Sequence, residues 1–270
     1  MIEPGIVVRH ELAMRNLLVT AIRKLSPGYL RITLAGDELT GFVTAGPTDH
    51  SKLFFPDLTG AINASQLVEG RMQRPETGTI TVRDFTPREF RNGAAPEVDF
   101  DFFLHGEGPA SAWAAAAAIG DPMVIAGPRG SRMPPSGISR VILAADETAL
   151  PALSRWIESL PDEVEIVAFA TVANESDAAY LEPTHVNRAR LVWIDKHPDA
   201  LERAFRAYGP VSDDTFVWVA GEATSLIPIR RYLRRELGLS GAQVKVDGYW
   251  KRGEAGRDHH APVDPTDPDE

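Results

Sequence analysis

The sequence predicts two domains of different class in series: an antiparallel β-barrel of about six short strands over residues 1–135, then an α/β domain with a parallel sheet over 136–252. Three observations predict this. Up to Ala126 the apolar segments are short, alternate with polar residues and are separated by Gly/Pro turns. After Ser136-Gly137 apolar runs alternate with helical segments. Between the two lies Pro134-Pro135-Ser136-Gly137, a stretch suited to a domain boundary.

Residues 17–36 read as a hairpin turning at Ser26-Pro27-Gly28, and 50–56 as a short strand. Residues 57–77 are polar and poorly periodic, an excursion loop. Thr79 to Phe85 is a β-branched strand ending in Thr86-Pro87-Arg88. Val98, Phe100 and Phe102 alternate with acids in a further strand that runs on into Phe103 and Leu104. Gly106, Gly108 and Pro109 then lead into the alanine run 114–118. Alanine is the strongest helix former, and proline is tolerated in a first turn. Pro122 to Ala126 is the next strand, closed by Gly127-Pro128-Arg129-Gly130-Ser131. In the second domain 140–145, 165–171, 191–195 and 215–220 read as strands. Segments 148–160, 198–207 and 224–237 read as helices, the last ended by Gly238. Residues 253–270, rich in acids and prolines, read as a disordered acidic tail.

Composition narrows the function. At 43% hydrophobic and 24% charged residues, the chain has the make-up of a soluble globular protein. It has no apolar run long enough to span a membrane and no secretory pattern at its start. The absence of cysteine excludes disulfides, thiolate zinc sites and cysteine-held iron–sulfur clusters, and it fits a cytoplasmic location. A net charge of −10 disfavours nucleic acid as a partner. No His/Asp/Glu spacing resembles a metal site; His259-His260 lie in the tail. A monomer is the default expectation.

The strand–glycine turn–helix at residues 98–118 is the first functional signal. Free N–H groups at a helix N-terminus bind anions, and Gly106 and Gly108 allow close approach. The plain alternative is a βα turn capped by Ser111. Residues 82–88, VRDFTPR, end a strand with an arginine, an aromatic and a threonine. Two strand-to-helix turns in the second domain, AADETALPA at 144–152 and VAGEATS at 219–225, lie at strand carboxyl ends, where ligands bind in open α/β sheets. The fingerprint G-x-G-x-x-G is absent from that domain.

HGEGPASAWAAAAAIGD (105–121), followed by AGPRGS (126–131), resembles the siderophore-interacting proteins. These are flavin-dependent ferric-siderophore reductases of the ferredoxin-reductase-like superfamily. VRDFTPR is similar to their Arg-x-Tyr-Thr motif, with Phe85 in place of the tyrosine, and Gly248-Tyr249-Trp250-Lys251-Arg252 is similar to their C-terminal ending. The resemblance spans 15–253. It implies a flavin-binding barrel, a nicotinamide-nucleotide-binding α/β domain, bound FAD, and NADH or NADPH as electron donor, with NADH preferred. It implies reduction of the iron of a ferric siderophore.

By the same resemblance, Arg83, Asp84, Phe85, Thr86, Asp101, Phe103, His105, Gly108, Ala110, Ser111, Trp113, Asp146, Thr148, Ala149 and Trp250 are expected at the cofactor. Gly221, Glu222 and Thr224 are expected near NAD(P)H. Lys52, Arg129, Lys251 and Arg252 are expected to supply a basic cluster for the siderophore. The bland readings remain beside these: Trp113 as core filler, Thr148 and Thr224 as helix caps, the run Arg230, Arg231, Arg234, Arg235 as a solvated face. Lys196 and Arg230 are candidates for a coenzyme 2′-phosphate. Two other functions stay open: a flavin reductase serving another acceptor, and a non-catalytic module that keeps the fold.

Overall fold

In the computed structural model, residues 2–267 are described except Glu76, Thr77, Glu107, Lys196, Pro198 and His259. The chain divides into one unit of Val7–Met133 and another of Met1–Ile6 with Pro134–Glu270. The first residues join the second unit through paired backbone hydrogen bonds of 3.1 Å between Glu3 and Ser136.

In the first unit β1 (Val7–Arg9) is followed by β2 (Met14–Ser26) and β3 (Tyr29–Ala35), which form the expected hairpin. Then come β4 (Ser51–Phe55), a small hairpin of β5 (Gln66–Val68) and β6 (Arg71–Gln73) inside the expected loop, and β7 (Thr81–Phe85). Next are β8 (Pro87–Arg91), β9 (Glu97–Phe103), α1 (Pro109–Ala116), β10 (Pro122–Ala126) and β11 (Gly130–Arg132). Seven strands form one antiparallel sheet in the order β7-β4-β10-β2-β3-β9-β8. The additional strand, β8, begins within Thr86-Pro87-Arg88, where the sequence predicts only the end of a strand. Its proline begins the strand at an edge of the order, where a missing N–H is tolerated. β7 and β8 stand at opposite ends of the order, yet only Thr86 separates them in sequence. The chain itself therefore bridges the two ends of the order, and Thr86 is the seam. Alternation from both arms fills the interior with Leu17, Ile32, Leu34, Leu53, Phe55, Phe100, Phe102 and Met123.

The second unit holds β12 (Arg140–Ala145), α2 (Leu150–Ser159), β13 (Glu165–Val172), α3 (Pro183–Arg188) and β14 (Arg190–Asp195). It continues with α4 (Ala200–Tyr208), β15 (Thr215–Glu222), α5 (Ala223–Arg231) and β16 (Val244–Trp250). The five strands pair in parallel in the order β14-β13-β12-β15-β16. Continuous burial of β12, β13 and β15 is what a sheet covered on both faces requires. The strand order reverses beside β12, which puts the carboxyl ends of β12 and β15 at the switch point.

The acidic tail departs from the sequence reading. Asp264 is 2% exposed and Val263 packs on the sheet's core. Arg231 donates to Asp264 at 2.6 Å, and Arg230 to Asp267 at 2.9 Å. The arginine run is accordingly not a plain solvated face: Arg230 is 3% exposed, and Arg235 also binds Asp267. Composition predicted disorder because it counts charges, whereas the fold places their partners on α5.

Candidate functional site

In the first unit the β9–α1 turn presents backbone N–H groups with no partner among the described residues. Gly108 occupies the N-cap with positive φ (90°) and no side-chain cap, and Pro109 brings no N–H. Ala112 N–H bonds Gly108 O, and the N–H groups of Ala110 and Ser111 have no partner among the described residues. Ser111 does not cap the helix. Its buried hydroxyl accepts from His105 N–H at 3.2 Å and so closes the turn from below. Gly106 (φ 77°) has open space where a side chain would stand. His105 is exposed beside the half-buried Phe103, their rings 6.2 Å apart. Short loop, two positive-φ glycines and two free donors suit a phosphate.

The seam strand β7 is half-exposed along its length. Phe85 leans inward, 4.6 Å from the ring of Phe102. Trp113 lies in the same cluster, 5.5 Å from Phe102 and 5.7 Å from Phe55, so it fills the barrel core. Thr86 is buried. The Arg83 side chain folds along its own strand to the Val82 carbonyl at 2.8 Å. Asp84 does not stand free for a cofactor: Lys52, opposite it on β4, donates to both its oxygens at 2.9 and 3.2 Å. Asp101 is withdrawn further. It faces Arg31 across the β3–β9 ladder and takes a two-pronged contact at 2.7 and 2.8 Å, with no exposed side-chain surface. Sequence alternation grouped it with His105, but a buried carboxylate needs a cation and Arg31 supplies it.

The four expected substrate cations separate into two kinds. Lys52 is paired with Asp84, and Lys251 with Glu254 at 3.3 Å. Arg129 and Arg252 are exposed and make no ion pair among the described residues.

In the second unit Asp146, at the carboxyl end of β12, is a buried hub. Its Oδ1 accepts from the N–H and hydroxyl of Thr148 at 2.9 and 2.6 Å. Its Oδ2 accepts from Glu222 N–H at 2.9 Å and from Trp250 Nε1 at 2.7 Å. One carboxyl thus ties the ends of β12, β15 and β16 together. Burial pushes it above the usual carboxylate range, against the pull of the bonds from Thr148 and Trp250. Gly221 makes the approach possible, since a Cβ there would lie 2.7 Å from Asp146 Oδ2. Glu222, not Thr224, caps α5: its Oε2 accepts from Ser225 N–H at 2.7 Å, and its Oε1 from Arg252 N–H at 3.2 Å. Burial raises the Glu222 carboxyl, but these donors outweigh it and hold the group below its ordinary value. Thr224 is exposed, and Ala149 is fully buried with no surface to offer a ligand.

A groove of about 550 Å3 opens at the carboxyl end of β14, lined by Trp193, Asp195, His197 and Arg203 among others. It was not visible in the sequence, because it forms between β14 and α4. Of the two cations proposed for a 2′-phosphate, Arg230 is buried against Asp267, and Lys196 lies outside the described residues. His259 lies outside them as well. Among the described residues no three His, Asp or Glu side chains are grouped to hold a metal.

The comparisons with known proteins cover both units. The siderophore-interacting FAD-binding domain family matches residues 18–132, and the siderophore-interacting protein family matches 138–253. The NADPH-dependent ferric-chelate reductase of Escherichia coli is 32% identical over 248 residues, 90% of this chain and 95% of that protein. The ferric vibriobactin reductase ViuB of Vibrio cholerae is 31% identical over 255 residues, 90% of this chain and 92% of that protein. A siderophore utilization protein from T. fusca superimposes with a TM-score of 0.87 at 34% identity, covering 95% of this chain and 99% of its own. The cytochrome b5 reductase domain of Ulva prolifera nitrate reductase shares the fold alone (TM-score 0.60, 14% identity, 87% and 97% coverage). A chain whose glycine turn, seam strand and parallel sheet are spanned from end to end by these two families, with relatives of its own length above 30% identity, belongs to the siderophore-interacting protein family.

Proposed function

We propose that the chain is an FAD-dependent ferric-siderophore reductase that takes electrons from NADPH or NADH. The observation that carries this is the uncapped N-terminus of α1, with its two glycines, inside the segment matched by the FAD-binding family. The residues present fit the cofactor. The N–H groups of Ala110 and Ser111 would receive its phosphates, Arg83 could reach the same charge only by leaving the Val82 carbonyl, and Thr86 and Phe85 would form the wall at the seam. FAD, when bound, supplies the exchange between a two-electron nicotinamide donor and a one-electron metal acceptor.

The remaining tasks belong to the chain's side chains. The Asp146 hub holds the sheet ends rigid where a nicotinamide nucleotide docks. Arg129 in the first unit and Arg252 in the second make no ion pair among the described residues, and each would attract a ferric chelate that carries negative charge. Reduction of Fe(III) weakens its hold on oxygen ligands, so Fe(II) leaves without a proton transfer from the protein. The same reading takes the chain as a cytoplasmic monomer. No helix among the described residues is long and apolar enough to cross a membrane.

The test is an absorbance spectrum of the purified protein, then anaerobic addition of NADPH and NADH in turn, then a ferric chelate with a ferrous trap. A yellow protein bleached by one nucleotide and recoloured by the chelate is the expected result. Equal rates with redox dyes and with every ferric chelate would transfer the assignment to a general flavin reductase. Arg129→Ala is expected to raise KM for an anionic ferric siderophore about tenfold while flavin stays bound, the loss of one well-placed charge contact.

A further inference from the structure

The corner Gly127–Ser131, which carries Arg129, is held by a buried polar chain drawn from three distant parts of the first unit. Ser131 is fully buried, and its hydroxyl donates to Asp49 Oδ2 at 2.5 Å. Asp49, 3% exposed, also accepts from the N–H of Gly46 at 3.1 Å and the hydroxyl of Thr44 at 3.2 Å. Ser131 Oγ accepts from Ala45 N–H at 3.1 Å. With its single proton committed to Asp49, Oγ can only accept from His10 as well. The His10 ring, 2.8 Å away, therefore carries its hydrogen on Nε2.

The backbone repeats this grip. His10 N–H donates to the Arg129 carbonyl at 2.9 Å, so one residue holds the chain on both sides of Gly130. Gly130 has no room for a side chain: a Cβ would lie 2.8 Å from Val8 O. At the other end Gly127 N–H donates to Ala13 O at 3.2 Å, and Arg15 Nη1 donates to Gly127 O at 3.3 Å. Asp49 lies two residues before β4, so the same chain ties the approach to that strand to the corner. The backbone is held on both sides of Arg129, while its guanidinium has no acidic partner among the described residues.

We propose that His10, Ser131 and Asp49 are positioning residues that hold this corner so that the Arg129 guanidinium meets an anionic ferric chelate in one orientation. The proposal rests on the assignment of Arg129 to the substrate. A charge on a loose corner must be ordered at each binding event, and that ordering weakens the complex.

The experiment uses the full chain loaded with FAD, with NADPH as donor. It compares a trianionic ferric tris-catecholate with an uncharged ferric tris-hydroxamate. His10→Ala is expected to raise KM for the trianion about fivefold, the cost of ordering a few side-chain and loop rotors. Its kcat, its flavin spectrum and its KM for the uncharged chelate should stay at the parent values. His10→Gln, which keeps an N–H donor, should restore the trianion KM. In an Arg129→Ala background, His10→Ala should add nothing, because the two act through one contact. If His10→Ala raises KM for both chelates alike, or acts additively on Arg129→Ala, it works through general stability and the proposal is overturned. If Arg129→Ala raises KM and His10→Ala does not, the positioning role alone falls. If Arg129→Ala leaves KM unchanged, the substrate assignment falls and takes the positioning role with it.

Discussion

Asp101 marks the distance between a residue's neighbours in sequence and its partners in space. Alternation along the strand puts it on one face with Phe103 and His105, and for Phe103 that holds in the register of β9, which ends before His105. Across the ladder, however, Arg31 takes both carboxylate oxygens, and no side-chain surface remains. Removing one partner of such a pair leaves a buried, uncompensated charge. Asp101→Ala is therefore expected to cost about 3 kcal/mol of stability in urea titration while the dissociation constant for FAD stays at the parent value. A weaker flavin complex at unchanged stability would place Asp101 at the cofactor after all. A similar pair at the open edge, Arg91 with Asp99 at 2.8 and 2.9 Å, anchors β8 to β9. Burial raises the Asp99 carboxyl, but Arg91 and Thr33 together hold it below its ordinary value.

At the scale of elements, the C-terminal segment is a strap across α5. Hydrogen bonds from Arg231 and Thr266 hold the Asp264 carboxyl down at about 2, and Arg235 and Arg230 lower Asp267 further. The sign follows directly. A carboxyl depressed in the folded state contributes stability above its unfolded value of about 4 and loses it as pH falls. For Asp264 that loss runs from about pH 4 to about pH 2. At neutral pH, Asp264→Asn is expected to speed amide exchange across residues 256–267 severalfold, with protection in β12, β13 and β15 unchanged. Unaltered exchange in the strap would mean that Val263 packing, and not the ion pairs, holds it. The α1 turn illustrates the converse case. Its function depends on bonds left unmade, since Ser111 turns to His105 and leaves the helix end open.

For the molecule as a whole, two separate cores carry two different tasks, one around Phe100 and Phe102 and the other around Val217 and Val219. Trp113 is the tryptophan of the first unit, while Trp156, Trp193, Trp218 and Trp250 belong to the second. A Trp113→Phe protein therefore reports the α/β unit by its emission, and the difference from the parent reports the barrel. A ligand at 100 times its dissociation constant stabilises what it binds by about 2.7 kcal/mol. With most flavin contacts assigned to the barrel, added FAD is expected to shift the barrel's urea midpoint more than the emission midpoint of the α/β unit. Equal shifts would show that the second unit carries an equal share of those contacts.

The β2–β3 hairpin, the alternating strands, the parallel order implied by strand–helix repeats and the glycine turn before α1 were all legible in the chain. Each depends on residues within a turn or a strand of one another, and composition and spacing record such relations faithfully. The pairing of charges was not legible. Lys52 with Asp84, Arg31 with Asp101, Arg231 with Asp264 and the hub of Asp146 with Trp250 join positions far apart in sequence. Motif spacing named the cations. Strand register and burial then settled which of them keep a charge to offer a ligand, because a carboxylate brought within 3 Å by the fold neutralises whichever cation it meets.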